Sequence, residues 1–546
     1  MRTLVLILFI FPAISFAQKK DYKNYDKAVV YFHEGKVEKS KKLTEKILSK
    51  NSEWIKPNLL MASIYADLGD IEESARYMLY VYDENTPADV LGIEQIAKLY
   101  YSNGYYENAL YYFNAAQSLN ADVLGKKTTL FMQNCIYAIE KINFPVDFNP
   151  ENLGENINTA AEEYLPAISV NGKVLMITRR VESKNSIIEL DNGKVITQED
   201  FYIAEKDDEG KWTKAVSMAI NTPLNEGAIT ISSDGGALVY TACNRDNGFG
   251  SCDLYISVKR NGAYSAGVNI GSVINSKKWE SQACFSPDGK YLYFVSNRPG
   301  GYGGKDIWRS EITQKGFLPA ENLGDTINTK YNEMSPFIHP DNLTFYFASD
   351  GQTGFGDYDL FVSRRTSTDK KWGLPNNMGY PINTYNTENS LIVAANGKTA
   401  YYASDVSGFG KEDIFQFDLP ENLQAEPLAD LEMDIITQKA GEEVVLKNVS
   451  FASNSFALEQ SSFAELDKLI VYLKKNPNLQ IEIQGHTDDI GSEIDNQILS
   501  KQRAKVVFEY LSTKVNNKLT YKGFGESQPI GDNKEENRRT SFVIKE

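Results

Sequence analysis

Residues 285–308 read FSPDGKYLYFVSNRPGGYGGKDIW, and residues 338–361 read IHPDNLTFYFASDGQTGFGDYDLF. Each alternates apolar and polar positions, breaks at Asp-Gly or Asp-Asn, alternates again, crosses a Gly-rich loop and resumes at an aspartate. That order predicts strand, tight turn, strand, loop, strand. Working outward, the phrase INT or INS recurs around Asn158, Asn221, Asn275, Asn328 and Asn383. Fourteen residues after each of these stands a turn residue: Gly172, Gly235, Gly289, Asn342 and Gly397. Successive copies are 63, 54, 53 and 55 residues apart in both series, so one unit is repeated five times. A short NLG or NIG segment supplies an outer strand ahead of a new copy.

Sheets repeated every ~40–55 residues predict the blades of an all-β propeller. The region, residues 143–420, resembles the TolB-like propellers. Five copies imply five blades, and a sixth assembled from the two end segments FPVDFNPENLG and IFQFDLPENL is left open. The loops GFGSCD, GYGGKD, GFGDYD and GFGKED invite a metal or phosphate reading. Their aspartates, Asp253, Asp306, Asp359 and Asp413, fall at one place in four blades. A group that every blade needs is expected to satisfy backbone donors, so no metal and no cofactor is expected.

Ahead of the β region, residues 20–142 carry a helical pattern. Ala28, Ala62 and Ala97 are each followed by Tyr31, Tyr65 and Tyr100, then by Gly35, Gly69 and Gly104, then by Ser40, Ser74 and Ala109, at a period of 34 to 35 residues. Small residues let antiparallel helices approach, and the glycines sit where a tight turn is needed. The pattern resembles tetratricopeptide repeats, an all-α solenoid whose groove binds a partner protein. A scaffold that only packs on its neighbour is the alternative. Residues 129–142 serve as a closing helix.

The chain has 546 residues and a formal net charge of −16. Nucleic acid and anionic membrane surfaces, bound through clustered Lys and Arg, are poor partners for it. Residues 1–17 have the positive start, short apolar run and small residues of a secretory signal peptide, with Gln18 rather than Cys after the cleavage point. An exported, soluble mature protein is expected, its outer-membrane association passing only through partners. Cys243 and Cys252 suit either a local disulfide or two buried thiols. The three histidines, His33, His339 and His486, fall in three modules, so a Ser-His-Asp set lacks material.

Residues 421–443 read as a linker, and residues 444–546 as a final α+β domain. VVLKNVSFAS, residues 444–453, is expected as a strand; Phe463, Leu466, Leu469, Ile470 and Leu473 share one helical face. Leu479, Ile481 and Ile483 point inward from a second strand, a second helix follows, and further strands close the chain. Asp488 ends that second strand, Gly491 permits a sharp turn, and Arg503 lies inside the helix, able to reach back. A carboxylate and a guanidinium so placed face a ligand carrying both an ammonium and a carboxylate. Charge-assisted bonds contribute roughly 1.5–3 kcal/mol each when sheltered, so two of them plus a few amide contacts give micromolar affinity.

The motif Thr487-Asp488-Asp489-Ile490-Gly491 followed by Asn496-Gln497-Ile498-Leu499-Ser500-Lys501-Gln502-Arg503-Ala504 resembles the C-terminal domain of the outer-membrane protein A family. FASNS upstream, with GFGESQP and NRR downstream, matches as well. The resemblance implies binding of the diaminopimelate residue of peptidoglycan, with Asp488 on the ammonium and Arg503 on the carboxylate. Asn454, Thr487 and Asn496 would orient the loop or touch the peptide, and Arg538 would add a basic contact. The order of modules resembles Bacteroidota envelope proteins, some of which attach gliding or type IX secretion machinery to the wall. A non-enzymatic periplasmic adaptor follows, associated with cell wall and outer membrane and holding an envelope protein complex. A propeller hydrolase or glycan-binding protein tethered to peptidoglycan is the alternative.

Overall fold

The computed structural model describes residues 16–182, 197–405, 408–428, 441–447, 449–451, 455–458, 462–531 and 533–545. Most of the expected signal peptide, residues 1–15, lies outside them, and so does Asn454. No helix among the described residues is long and apolar enough to cross a membrane.

The first of two compact units joins the N-terminal helices to the segments Thr353–Asp359 and Gly379–Thr387. Its helices run in antiparallel pairs: Phe16–His33 with Val37–Leu48, Ile55–Asp67 with Ile71–Leu79, and Val90–Tyr101 with Tyr106–Asn120, followed by Thr128–Lys141. Gly35, Gly69 and Gly104 turn each pair at positive φ (71°, 80°, 79°). The small residues do more than make room. Ser40 Oγ donates to the Ala28 carbonyl at 2.8 Å, and Ser74 Oγ to the Ala62 carbonyl at 2.7 Å, the same inter-helix bond one repeat apart. Phe355 is wholly buried in the helical core. Tyr106 Oη donates to its carbonyl, Tyr101 Oη to that of Gly356, and the Gly354 amide to Asn134 Oδ1.

The second unit holds five antiparallel sheets and the C-terminal domain. The sheets follow the repeat. In the third, Glu280–Phe285, Tyr291–Ser296 and Asp306–Thr313 are joined at the edge by Glu321–Asn322. The repeated asparagines are clamps: Asn158, Asn221, Asn275 and Asn328 each bond both the N–H and the C=O of one third-strand residue. Asn158 clamps Ile414, far ahead in the chain, and strand Glu151–Asn152 pairs with Asp413–Asp418. The two end segments therefore meet within the fifth sheet and form no separate sheet of their own among the described residues. Asp253, Asp306, Asp359 and Asp413 accept backbone N–H groups of their own Gly-rich loops, as expected. Cys243 and Cys252, directly opposite on neighbouring strands, are disulfide-bonded.

Residues 421–428 are strapped to the sheets: Tyr346 Oη and Arg364 Nη2 donate to the Leu423 and Asn422 carbonyls, and the Ala425 amide to Gly397. The C-terminal sheet then runs Glu443–Val445, Thr540–Lys545, Gln480–His486, Leu519–Gly525 across its width, the last pair parallel. Helices Ser462–Lys475 and Glu493–Ser512 share its core through Leu466, Leu473, Ile483, Val507, Leu511 and Phe542. The expected first strand is shorter than residues 444–453. The strand ends at Val445; Val444 and Leu446 alternate as a strand would, whereas Val449, buried three residues after Leu446 with its amide on the Leu446 carbonyl, does not.

Candidate functional site

The site gathers where strand Gln480–His486 hands over to helix Glu493–Ser512. Ser492 caps that helix, its Oγ accepting from the Asp495 amide at 3.1 Å. Gly491 makes the turn at φ +110°, in space where a side chain would be strained. Gly485 and Gly523 set the depth of the helix: a Cβ on either would stand 2.2 Å from the Ser500 carbonyl oxygen or 2.4 Å from the Lys501 nitrogen. Without that close approach the turn carrying Arg503 would ride away from the strand ends.

Asp488 is 7% exposed. Its Oδ1 accepts from the Ile490 amide at 3.2 Å and its Oδ2 from Arg538 Nη1 at 2.8 Å. Asn496 Nδ2 donates to the Asp488 carbonyl at 3.2 Å and to Glu526 Oε2 at 2.6 Å, tying the loop to the strand beyond. Thr487 is buried; its amide donates to Gly525, and its Oγ1 has no partner among the described residues. Arg503 is anchored through Nε to the Ser455 carbonyl at 3.0 Å and lies over the Phe451 ring at 5.0 Å. Burial, then the nearby Arg538 charge, lowers its pKa, and Asp488 opposes them. The three charges therefore share one electrostatic neighbourhood.

Of the residues singled out from sequence, the structure brings together Asp488, Arg503, Thr487, Asn496 and Arg538. The short helix Lys534–Asn537 precedes Arg538, whose guanidinium reaches Asp488. Sequence reasoning missed Glu526, Phe451 and the Ser455 carbonyl. Glu526 and Phe451 stand inside quoted motifs, but nothing in a linear pattern marks which carboxylate meets Asn496 or which ring carries a guanidinium. Behind the loop, His486 stacks on Phe524 at 5.2 Å and lies 3.3 Å from Glu443, which holds Arg539 at 2.6 Å. Burial, with the Arg539 charge, holds the imidazole down to about 4, so it is neutral at pH 7.

Residues 450–541 match the sequence model of the OmpA family. The C-terminal domain is OmpA-like. Outer membrane porin F of Pseudomonas aeruginosa is 30% identical over 89 residues, 16% of this chain and 25% of that protein. The peptidoglycan-binding protein ArfA of Mycobacterium bovis is 30% identical over 125 residues, 22% of this chain and 36% of that protein. Among solved structures, the peptidoglycan-associated lipoprotein from Burkholderia pseudomallei is 29% identical, with a TM-score of 0.17, over 18% of this chain and 88% of that one. The chain thus spans about a quarter to a third of the length of these curated relatives. The OmpA-like domain is the part of the chain to which the family match applies.

Proposed function

We propose that the OmpA-like domain binds the diaminopimelate residue of peptidoglycan stem peptides, and that the rest of the chain holds an envelope protein complex to the wall. Asp488 takes the ligand's ammonium and Arg503 its carboxylate; Thr487 and Asn496 present the loop. One observation carries this reading. A nearly buried aspartate has, among the described residues, only one backbone amide and one part-exposed guanidinium bonded to its carboxylate. That guanidinium reaches solvent and can be exchanged, so the carboxylate can take a ligand's ammonium in its place. A relative named for peptidoglycan binding supports the same choice.

In this proposal the helical pairs are tetratricopeptide repeats and the five sheets are blades of one propeller. Support for a ring comes from the inner strands. Leu165, Ala228, Gln282, Ser335 and Ser390 repeat a positive φ of 50° to 64° at one position of each sheet, and all five line a single cavity. The molecule is then a non-enzymatic adaptor of the periplasm, reaching the outer membrane through its partners. Sedimentation with purified cell-wall sacculi tests the wall-binding half: wild type co-sediments, while Asp488→Ala and Arg503→Ala stay in the supernatant. Variants that still sediment like wild type would remove the proposed site.

A further inference from the structure

The ligand reading leaves Arg538 in an unusual position. Its Nη1 stands 2.8 Å from Asp488 Oδ2, where an incoming ammonium would have to bind. The two side chains differ in freedom: that of Arg538 is 43% exposed, that of Asp488 8%. Arg538 has a second weak attachment, 3.8 Å to Glu535, while the neighbouring Lys534 is engaged with Asp489 at 2.6 Å. Arg503 is fixed by its Nε, and its Nη1 and Nη2 make no hydrogen bond to any described residue. Arg538 thus covers the buried carboxylate, and the charge of Arg503 acts in the same neighbourhood.

We propose that Arg538 is a specificity-determining residue that restricts the site to ends carrying both an ammonium and a carboxylate. The inference rests on the reading that the Asp488 pocket takes an ammonium. To reach Asp488, the ligand must displace the Arg538 guanidinium. A ligand with a carboxylate offers Arg538 a new anion beside Arg503, so one ion pair is exchanged for two. A plain amine offers none: it would leave three cationic groups around a single carboxylate, an arrangement disfavoured at short range in a sheltered site. A plain carboxylate gains Arg503 but leaves the Asp488–Arg538 pair untouched, and so uses half of the site.

Calorimetric titration of the full chain with meso-diaminopimelate and with 1,5-diaminopentane, the same diamine without carboxylates, tests this. Wild type is expected to prefer diaminopimelate by roughly 100-fold, the loss of two charge-assisted contacts. In Arg538→Gln the diamine should bind roughly 10-fold tighter and diaminopimelate no tighter, so that the preference narrows. Arg538→Lys, which keeps a cation, should hold most of the preference. An unchanged preference in a folded Arg538→Gln protein, or equal collapse in Arg538→Lys, overturns the role of Arg538 while leaving the pocket standing. Failure of wild type to bind diaminopimelate at all removes the pocket reading, and this inference with it.

Discussion

Asp306 in the third sheet and Asp488 in the C-terminal domain are both buried aspartates beside glycines, yet they are held in different ways. Asp306 accepts from the Tyr302 amide, the Gly303 amide and Asn322 Nδ2 at 2.5, 3.0 and 2.8 Å. Its lone pairs are consumed by rigid donors of its own sheet. Asp488 accepts from one amide, and its other oxygen is covered by a flexible, solvent-reaching side chain. A carboxylate saturated by main chain has nothing to offer a ligand. One covered by an exchangeable guanidinium does. The kind of donor, rather than burial, separates framework from site.

The largest effect that could break this contrast is on folding. Asp306→Ala strands two loop amides and an asparagine around a buried position, and should cost about 3 kcal/mol of stability. Asp488→Ala frees a part-exposed arginine and should cost under about 1 kcal/mol. Denaturant melts of both variants, followed by sacculus binding, check this: Asp306→Ala unfolds early but binds where folded, and Asp488→Ala melts like wild type. The reverse pattern would mean that donor type does not mark function here.

A second test lies between neighbouring sheets. Glu280 and Glu333 hold equivalent places, each wholly buried and bonded to a Ser or Thr four residues earlier. Glu280 faces Arg298 at 3.2 Å; in the fourth sheet Gln352 bonds the Ile327 carbonyl, as Arg298 bonds that of Ile274, and brings no charge. Burial accordingly pushes the Glu333 carboxyl from 4.5 up to about 7. A raised folded-state value means stabilisation that is complete below the unfolded value and is lost as pH rises through the folded one. Stability should therefore fall between about pH 4.5 and pH 7, by on the order of 3 kcal/mol. Glu333→Gln should flatten that segment of the stability–pH curve, and an unaltered slope would assign it to other groups.

Much of this was legible in one dimension. The repeat of Asn, turn residue and Gly-rich loop set the five sheets, because a hairpin's turn chemistry and alternation are local. The order Thr487, Asp488, Gly491, Asn496, Arg503 set the core of the site for the same reason: strand end, turn and helix are consecutive. What stayed hidden is long-range. Phe355 entering the helical core and Glu526 under Asn496 join residues that no periodicity links, and the repeat, which marks Glu151–Asn152 as an outer strand, does not say that it closes on the fifth sheet. The strand expected over residues 444–453 stops at Val445, because nothing local in the alternation of Val444 and Leu446 shows where pairing with Thr540–Lys545 ends.

The smallest effect sharpens the comparison most, because Asn496 shares features with both aspartates. It is buried like the sheet asparagines, and it uses one amide nitrogen for the Asp488 carbonyl and for Glu526. The sheet asparagines grip both groups of a strand residue and so carry stability. Asn496 grips only a loop, and what it secures is the direction in which Asp488 points. Asn496→Ala should then lower stability by about 1 kcal/mol and weaken diaminopimelate binding by roughly 5-fold, because a freed loop must be reordered at each binding event. Asn158→Ala, its counterpart in the sheets, should cost more stability and leave binding unchanged. Paired melts and titrations of these two variants place Asn496 with the framework if binding holds, and with the site if affinity falls faster than stability does.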